Sequence, residues 1–170
     1  MAGSPRYIHL LAEAGQVAHI HLDLWNEDVE SLWTTFDEQW DILENGEYDN
    51  PAELLAMSAL GLALLSKITT EKIDNIVDDA TALHINKNAG YAGADNPDPW
   101  ANFRMATAFG ATAFTGSLIR LGDKIIRTRN LRANPDNERV GEAITETIRD
   151  AIAYPLIARC LLEEEEGIAA

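Results

Sequence analysis

Along most of this chain, apolar residues recur at helical spacing. A first helix is predicted from Arg6 to about Val17. In "NEDVESLWTTFDEQWDILENG", Trp33, Phe36, Trp40 and Leu43 form one stripe, with Asn26, Glu27 and Asp28 at the start and Gly46 just past the end. Those are the start and stop signals of an amphipathic helix. Between these two segments "HIHLDL" alternates, placing Ile20, Leu22 and Leu24 on one side. A lone strand has no partner for its hydrogen bonds, so helix or extended linker is expected there. "DNPAELLAMSALGLALLSK" has Asn50 as a cap and Pro51 at the first helical position, and it is apolar nearly all round. It should be a helix of the core. From Thr70 to Asn86, Ile73, Ile76, Val77, Ala80 and Leu83 make another stripe.

The pattern stops at "NKNAGYAGADNPDPWANFR", where Asn, Asp, Gly and Pro crowd around Tyr91 and Trp100. After it, Pro99 to about Asn130 reads as one long helix, with Phe103, Gly110, Phe114, Leu118, Leu121 and Ile125 on a common face. Met105 and Phe109 make the other side of its first half apolar, so that half is expected to be enclosed. "RANPDNERV" turns the chain, and Asn137 to about Glu164 forms the last helix, kinked at Pro155. The tail 163–170, "EEEEGIAA", sets negative charge at a helix C-terminus and should fray. These elements make an all-α fold: a single domain over 1–170, a compact multi-helix bundle with a long central helix and an inter-helix ligand loop.

Charge narrows the function classes. There are 28 acidic residues against 13 basic ones, a formal net charge of −15. That balance repels a phosphate backbone and argues against a nucleic-acid partner. It is compatible with a solvated acidic surface or with carboxylates gathered around divalent cations. Cys160 is the single cysteine, which precludes an internal disulfide and suits a reducing cytoplasm. "MAGSPRYIHL" has no signal-peptide core, and the longest apolar run, 54–65, is shorter than the ~20 residues that span a bilayer. A cytoplasmic protein without a membrane partner is expected.

Three groups of residues carry possible chemistry. In the last helix Glu142, Glu146 and Asp150 stand four apart on one face, opposite Val140, Ile144, Ile148 and Ala151. Unpaired like charges at this spacing cost about 0.2–0.5 kcal/mol each, so something should offset them. Arg120, Asp123 and Arg127, with Lys124 flanking, share a face of the preceding helix. Helices joined by a short turn pack antiparallel, so the acidic and basic rows can meet. In one reading they pair across the helix seam. In the other, Asp123, Glu142, Glu146 and Asp150 hold magnesium, and Lys124 and Arg127 face phosphates. His19 and His21 resemble a metal-ligand pair, but no third ligand follows, so a surface or satisfied pair is expected. The central loop runs to roughly a dozen residues, beyond the about 2–8 of ordinary bundle connectors. It offers Lys87 for phosphate, Tyr91 and Trp100 for stacking, and Asn88, Asn96 and Asn102 for base edges or sugar hydroxyls.

"KNAGYAG…DNPDPWANFR", "RLGDKIIRTRNL" and "EAITETIRDAIAYPLI" in this order resemble the helical phage and bacterial family called nucleotide-modification-associated domain, type one, over about 84–158. That family in turn is similar to the MazG-type all-α nucleoside triphosphate pyrophosphohydrolases, which bind magnesium through acids on adjacent helices and are typically oligomeric. The resemblance places Lys87, Tyr91, Asn102, Asp123, Lys124, Arg127, Glu142, Glu146 and Asp150 at matching positions. It implies a magnesium-assisted nucleotide (pyro)phosphohydrolase, acting on a nucleoside di- or triphosphate and working as a homo-oligomer. Lys124 and Arg127 would stabilise developing charge, and Glu146 would serve catalysis as well as the metal. The sequence departs from the family pattern at Gly90, where an aspartate is expected, at Ala92, and at Pro155. The Asp123 helix also carries one acid where the MazG-type pattern has two. A non-catalytic protein that sequesters or senses a modified or cyclic nucleotide is therefore the alternative.

Overall fold

The computed structural model describes residues 3–91, 98–134, 136 and 140–168, without the side chains of residues 91 and 140–142. Seven α-helices form within those residues: α1 (Pro5–His19), α2 (Val29–Ile42), α3 (Pro51–Thr69), α4 (Ile73–Tyr91), α5 (Ala101–Arg104), α6 (Ala113–Ala133) and α7 (Val140–Glu165). The fold is all-α.

Short polar side chains start four of them. Ser4 Oγ accepts the Tyr7 N–H before α1, Asp28 the Ser31 N–H before α2, Asn50 the Ala52 N–H before α3, and Thr112 the Thr115 N–H before α6. Each satisfies an otherwise unpaired amide of a first turn. "HIHLDL" extends α1 as a π-helical turn, Ile20–Leu24, so its alternation does not report a strand.

Helix α3 lies at the centre, buried almost continuously from Met57 to Ser66, with α1, α2, α4 and α7 packed on it. By length and composition it is apolar enough to cross a membrane, yet most of it is covered by its neighbours. Gly61 permits the closest approach: a Cβ there would lie 2.8 Å from Ile152 Cγ1 of α7. Beside it Ser58 Oγ donates to the Ile152 carbonyl, which ties the two helices together without an unsatisfied hydroxyl. Helix α7 then packs along α6 in antiparallel sense, since Phe114 meets Glu165 at one end and Lys124 meets Asp150 further along.

Two expectations are corrected. The single helix foreseen over 99–130 is broken: α5 passes into a 3-10 turn, Met105–Phe109, and Gly110 at φ 81° reverses the chain before Thr112 caps α6. The apolar spacing of 103–125 stays in phase across this break, which disguises it. Because the turn projects outward, Met105 and Phe109 are 63% and 87% exposed, not enclosed. Of the tail expected to fray, residues 163–165 are the last turn of α7. Helix α7 continues to Glu165, and the Glu163 side chain, 7% exposed, receives Arg6 Nε and Nη2 at 2.7 Å each and Arg159 Nε at 3.1 Å. These cations offset the unfavourable charge at the helix end.

The Arg6 guanidinium holds the Glu163 carboxyl below its ordinary value of 4.5, and Arg159 adds to the effect. A depressed carboxyl stabilises the fold above that ordinary value and loses this contribution as pH falls through the folded one. Glu163→Gln should therefore cost about 1–3 kcal/mol at neutral pH in denaturant unfolding. The gap from the wild-type chain should close in acid. Gly61→Ala should cost about 1–3 kcal/mol by the same measurement, because Ile152 has no room to yield in a packed core.

Candidate functional site

Four elements that converge beside the core leave a cavity of about 530 Å³. Helix α4 contributes Ile76, Ala80, Leu83 and Lys87, which share a face at helical spacing. Pro99, Trp100, Asn102 and Phe103 enter from the α5 end. Arg120 comes from α6, and Arg149, Asp150, Ala153, Tyr154 and Ile157 from α7. A volume of this size is in the range of small-molecule sites, as is an apolar lining with a few polar groups.

The inner wall is aromatic. Tyr7 stacks on His84 with centroids 4.1 Å apart, and Trp100 lies 5.5 Å from His84, 6.1 Å from Tyr7 and 6.4 Å from Phe103. Trp100 is only 2% exposed, its ring occupied by these protein neighbours. Asp98 sets its position by accepting the Trp100 N–H at 3.0 Å while pairing with Arg104 at 2.6 Å. Burial pushes the His84 imidazole from 6.5 down to about 4. Its Nε2 accepts the Ser4 backbone N–H at 3.1 Å, which puts the ring proton on Nδ1. At neutral pH the inner wall is thus uncharged.

The remaining charged groups have different surroundings. Lys87 and Arg120 have no carboxylate partner among the described residues, and the Arg120 guanidinium lies 5.9 Å from the Phe103 ring centroid. Arg149 Nη2 reaches Glu71 at 3.3 Å on one side. Asp150 is paired with Lys124 Nζ at 2.9 Å, both partly exposed. Asp79 supplies the other carboxylate of the lining.

Of the residues singled out from the sequence, Lys87, Asn88, Trp100, Asn102 and Asp150 line this cavity, with Asn88 buried against His84, and Lys124 touches it through Asp150. Asp123, Arg127 and Glu146 are exposed and do not line it. The side chains of Tyr91 and Glu142, and all of Asn96, lie outside the described residues. Among the described residues no three His, Cys, Asp or Glu side chains gather where a metal ion would sit. Asp150 is bonded to Lys124, Asp123 and Glu146 are exposed, and the Glu142 side chain is outside the described residues, so the four acids expected to hold magnesium are not seen together among the described residues. Both His19 nitrogens are taken by acids, Asp23 at 2.9 Å and Asp74 at 3.1 Å, and His21 bonds Glu27. They form a satisfied pair and not a metal-ligand pair.

Sequence reasoning missed Arg149, Tyr154, His84 and Tyr7, and did not assign Arg120 to a ligand. Arg149 and Tyr154 are legible only once Asp150 is known to face inward, because they stand one before and four after it on the helix. Tyr7 lies far away in sequence and carries no local signal. In comparisons with known proteins, no family model matches the chain, and no match was found among curated proteins or solved structures.

A depressed imidazole makes the fold most stable above the ordinary histidine value and progressively less so as pH drops from 6.5 towards 4, since only the unfolded chain then takes up the proton. In a proton NMR titration, one histidine ring should stay neutral until about pH 4. His84→Ala should remove that resonance and weaken the Tyr7 and Trp100 packing by about 1–3 kcal/mol.

Proposed function

We propose that this protein binds a nucleotide in the cavity between α4, α5, α6 and α7, as a non-catalytic binder. The observation that carries the proposal is the placement of Lys87 and Arg120, cations without carboxylate partners among the described residues, on the rim of an apolar and aromatic cavity. In a chain of net charge −15, such a rim is a local site for an anion. Arginine offers paired donors to phosphate oxygens, and lysine adds a point charge. Half-buried Tyr154, with Leu83, offers a surface for a planar base. The amides of Asn86 and Asn102 can donate and accept at its edges or at sugar hydroxyls. The motif resemblance to nucleotide-associated helical proteins points to the same ligand class.

Binding to the folded state raises its stability by mass action. A nucleotide panel at saturating concentration should raise the melting temperature by about 5 °C or more for at least one nucleotide, while the matching phosphate-free nucleosides have little effect. Arg120→Ala should weaken that response without abolishing the fold. A panel in which no nucleotide moves the melting curve contradicts the proposal.

A further inference from the structure

Resting on the nucleotide reading above, we infer that the ligand carries one phosphate group and binds without a divalent cation, as a nucleoside monophosphate in place of a di- or triphosphate. The cavity's charges decide this. Arg149 is partly engaged by Glu71 at 3.3 Å, and Lys124, the next cation along α6, is held by Asp150 at 2.9 Å. That leaves Lys87 and Arg120 open, and a phosphate monoester brings a charge of about −1.5 to −2 at neutral pH. One phosphate matches two open cations.

Further phosphates add negative charge with no unpaired cation left among the described lining residues, in a lining that also contains Asp79 and Asp150. Polyphosphate sites solve this with magnesium held by one or two carboxylates together with the phosphates. Here the Asp150 carboxylate is bonded to Lys124, and Asp79 stands on a different helix, α4. The segment 92–97, "AGADNP", has one carboxylate and no basic residue, so by composition it brings no further positive charge.

The test is calorimetric titration of the full chain with the mono-, di- and triphosphates of adenosine, guanosine, cytidine and thymidine. Each is run in EDTA and in magnesium, with the nucleosides and inorganic phosphate alongside. At least one monophosphate should bind equally well in both buffers and about tenfold or more tighter than its own triphosphate. It should also bind more tightly than its nucleoside and than inorganic phosphate. Lys87→Ala and Arg120→Ala should each weaken it about 10–100-fold, as loss of a charged hydrogen bond does. Arg120→Lys should restore part of the affinity. Both side chains are exposed, and an unchanged ligand-free melting temperature will show that the variants fold. A triphosphate that binds as tightly as the monophosphate or tighter, or binding that requires magnesium, overturns the inference and leaves the nucleotide reading standing. Binding of inorganic phosphate alone, or of nothing, overturns both.

Discussion

Helix α3 is apolar on nearly every face, and such a helix is stable only when neighbours cover it all round. At Gly61 the covering is closest, because only the missing side chain lets Ile152 of α7 sit against the α3 backbone. The Ser58 hydroxyl donates to the Ile152 carbonyl in the same place, which fixes how far α7 can slide or turn. Everything else follows from that crossing. With Ile148, Ala151 and Ile152 buried against the core, Arg149, Asp150, Ala153 and Tyr154 are left beside the cavity. Core packing sets the orientation of the polar wall, although no polar residue of that wall belongs to the core.

The electrostatics follow a similar division. Cations are scarce here, and most of the described ones are already paired: Arg6 and Arg159 with Glu163, Arg104 with Asp98 and Glu164, Arg129 and Arg132 with Asp37, Lys124 with Asp150, and Arg149 with Glu71. The Arg132 guanidinium also lies over Trp33, 4.2 Å from the ring centroid, joining α2 to α6. Charge pairs at helix seams hold elements together, and their net value is modest where solvent reaches them. An open cation at a cavity rim has a different consequence, since it remains available to an anionic guest. Lys87 and Arg120 are in that position.

Helix identity was readable where local chemistry decides it. Asn50 with Pro51 marks the start of α3, and the all-round apolar pattern marks its burial. Gly110 was readable as a weak helix residue but not as a break, because the residues on either side keep the same apolar phase. The positive φ that ends the turn is a property of the folded path and leaves no trace in periodicity. For the cavity, the loop composition led to Lys87, Trp100 and Asn102, and the spaced acids led to Asp150. The same acid spacing led equally to Glu146, which solvent satisfies. Carboxylates four apart look alike whether they face water or a ligand, and the difference lies in where the helix is rotated. That rotation is set by Gly61 and Ile152, ninety-odd residues apart in sequence.

The central claim is that a nucleotide occupies the space bounded by α4, α5, α6 and α7. Amide NMR spectra recorded during titration with the tightest-binding nucleotide of the panel test it most directly. The account predicts shifts concentrated at Leu83 to Asn88, Trp100 to Phe103, Arg120 and Arg149 to Tyr154, with the far side of the bundle around Leu24 and Trp25 unchanged. Shifts centred on that far side, or spread evenly over the chain, would contradict it.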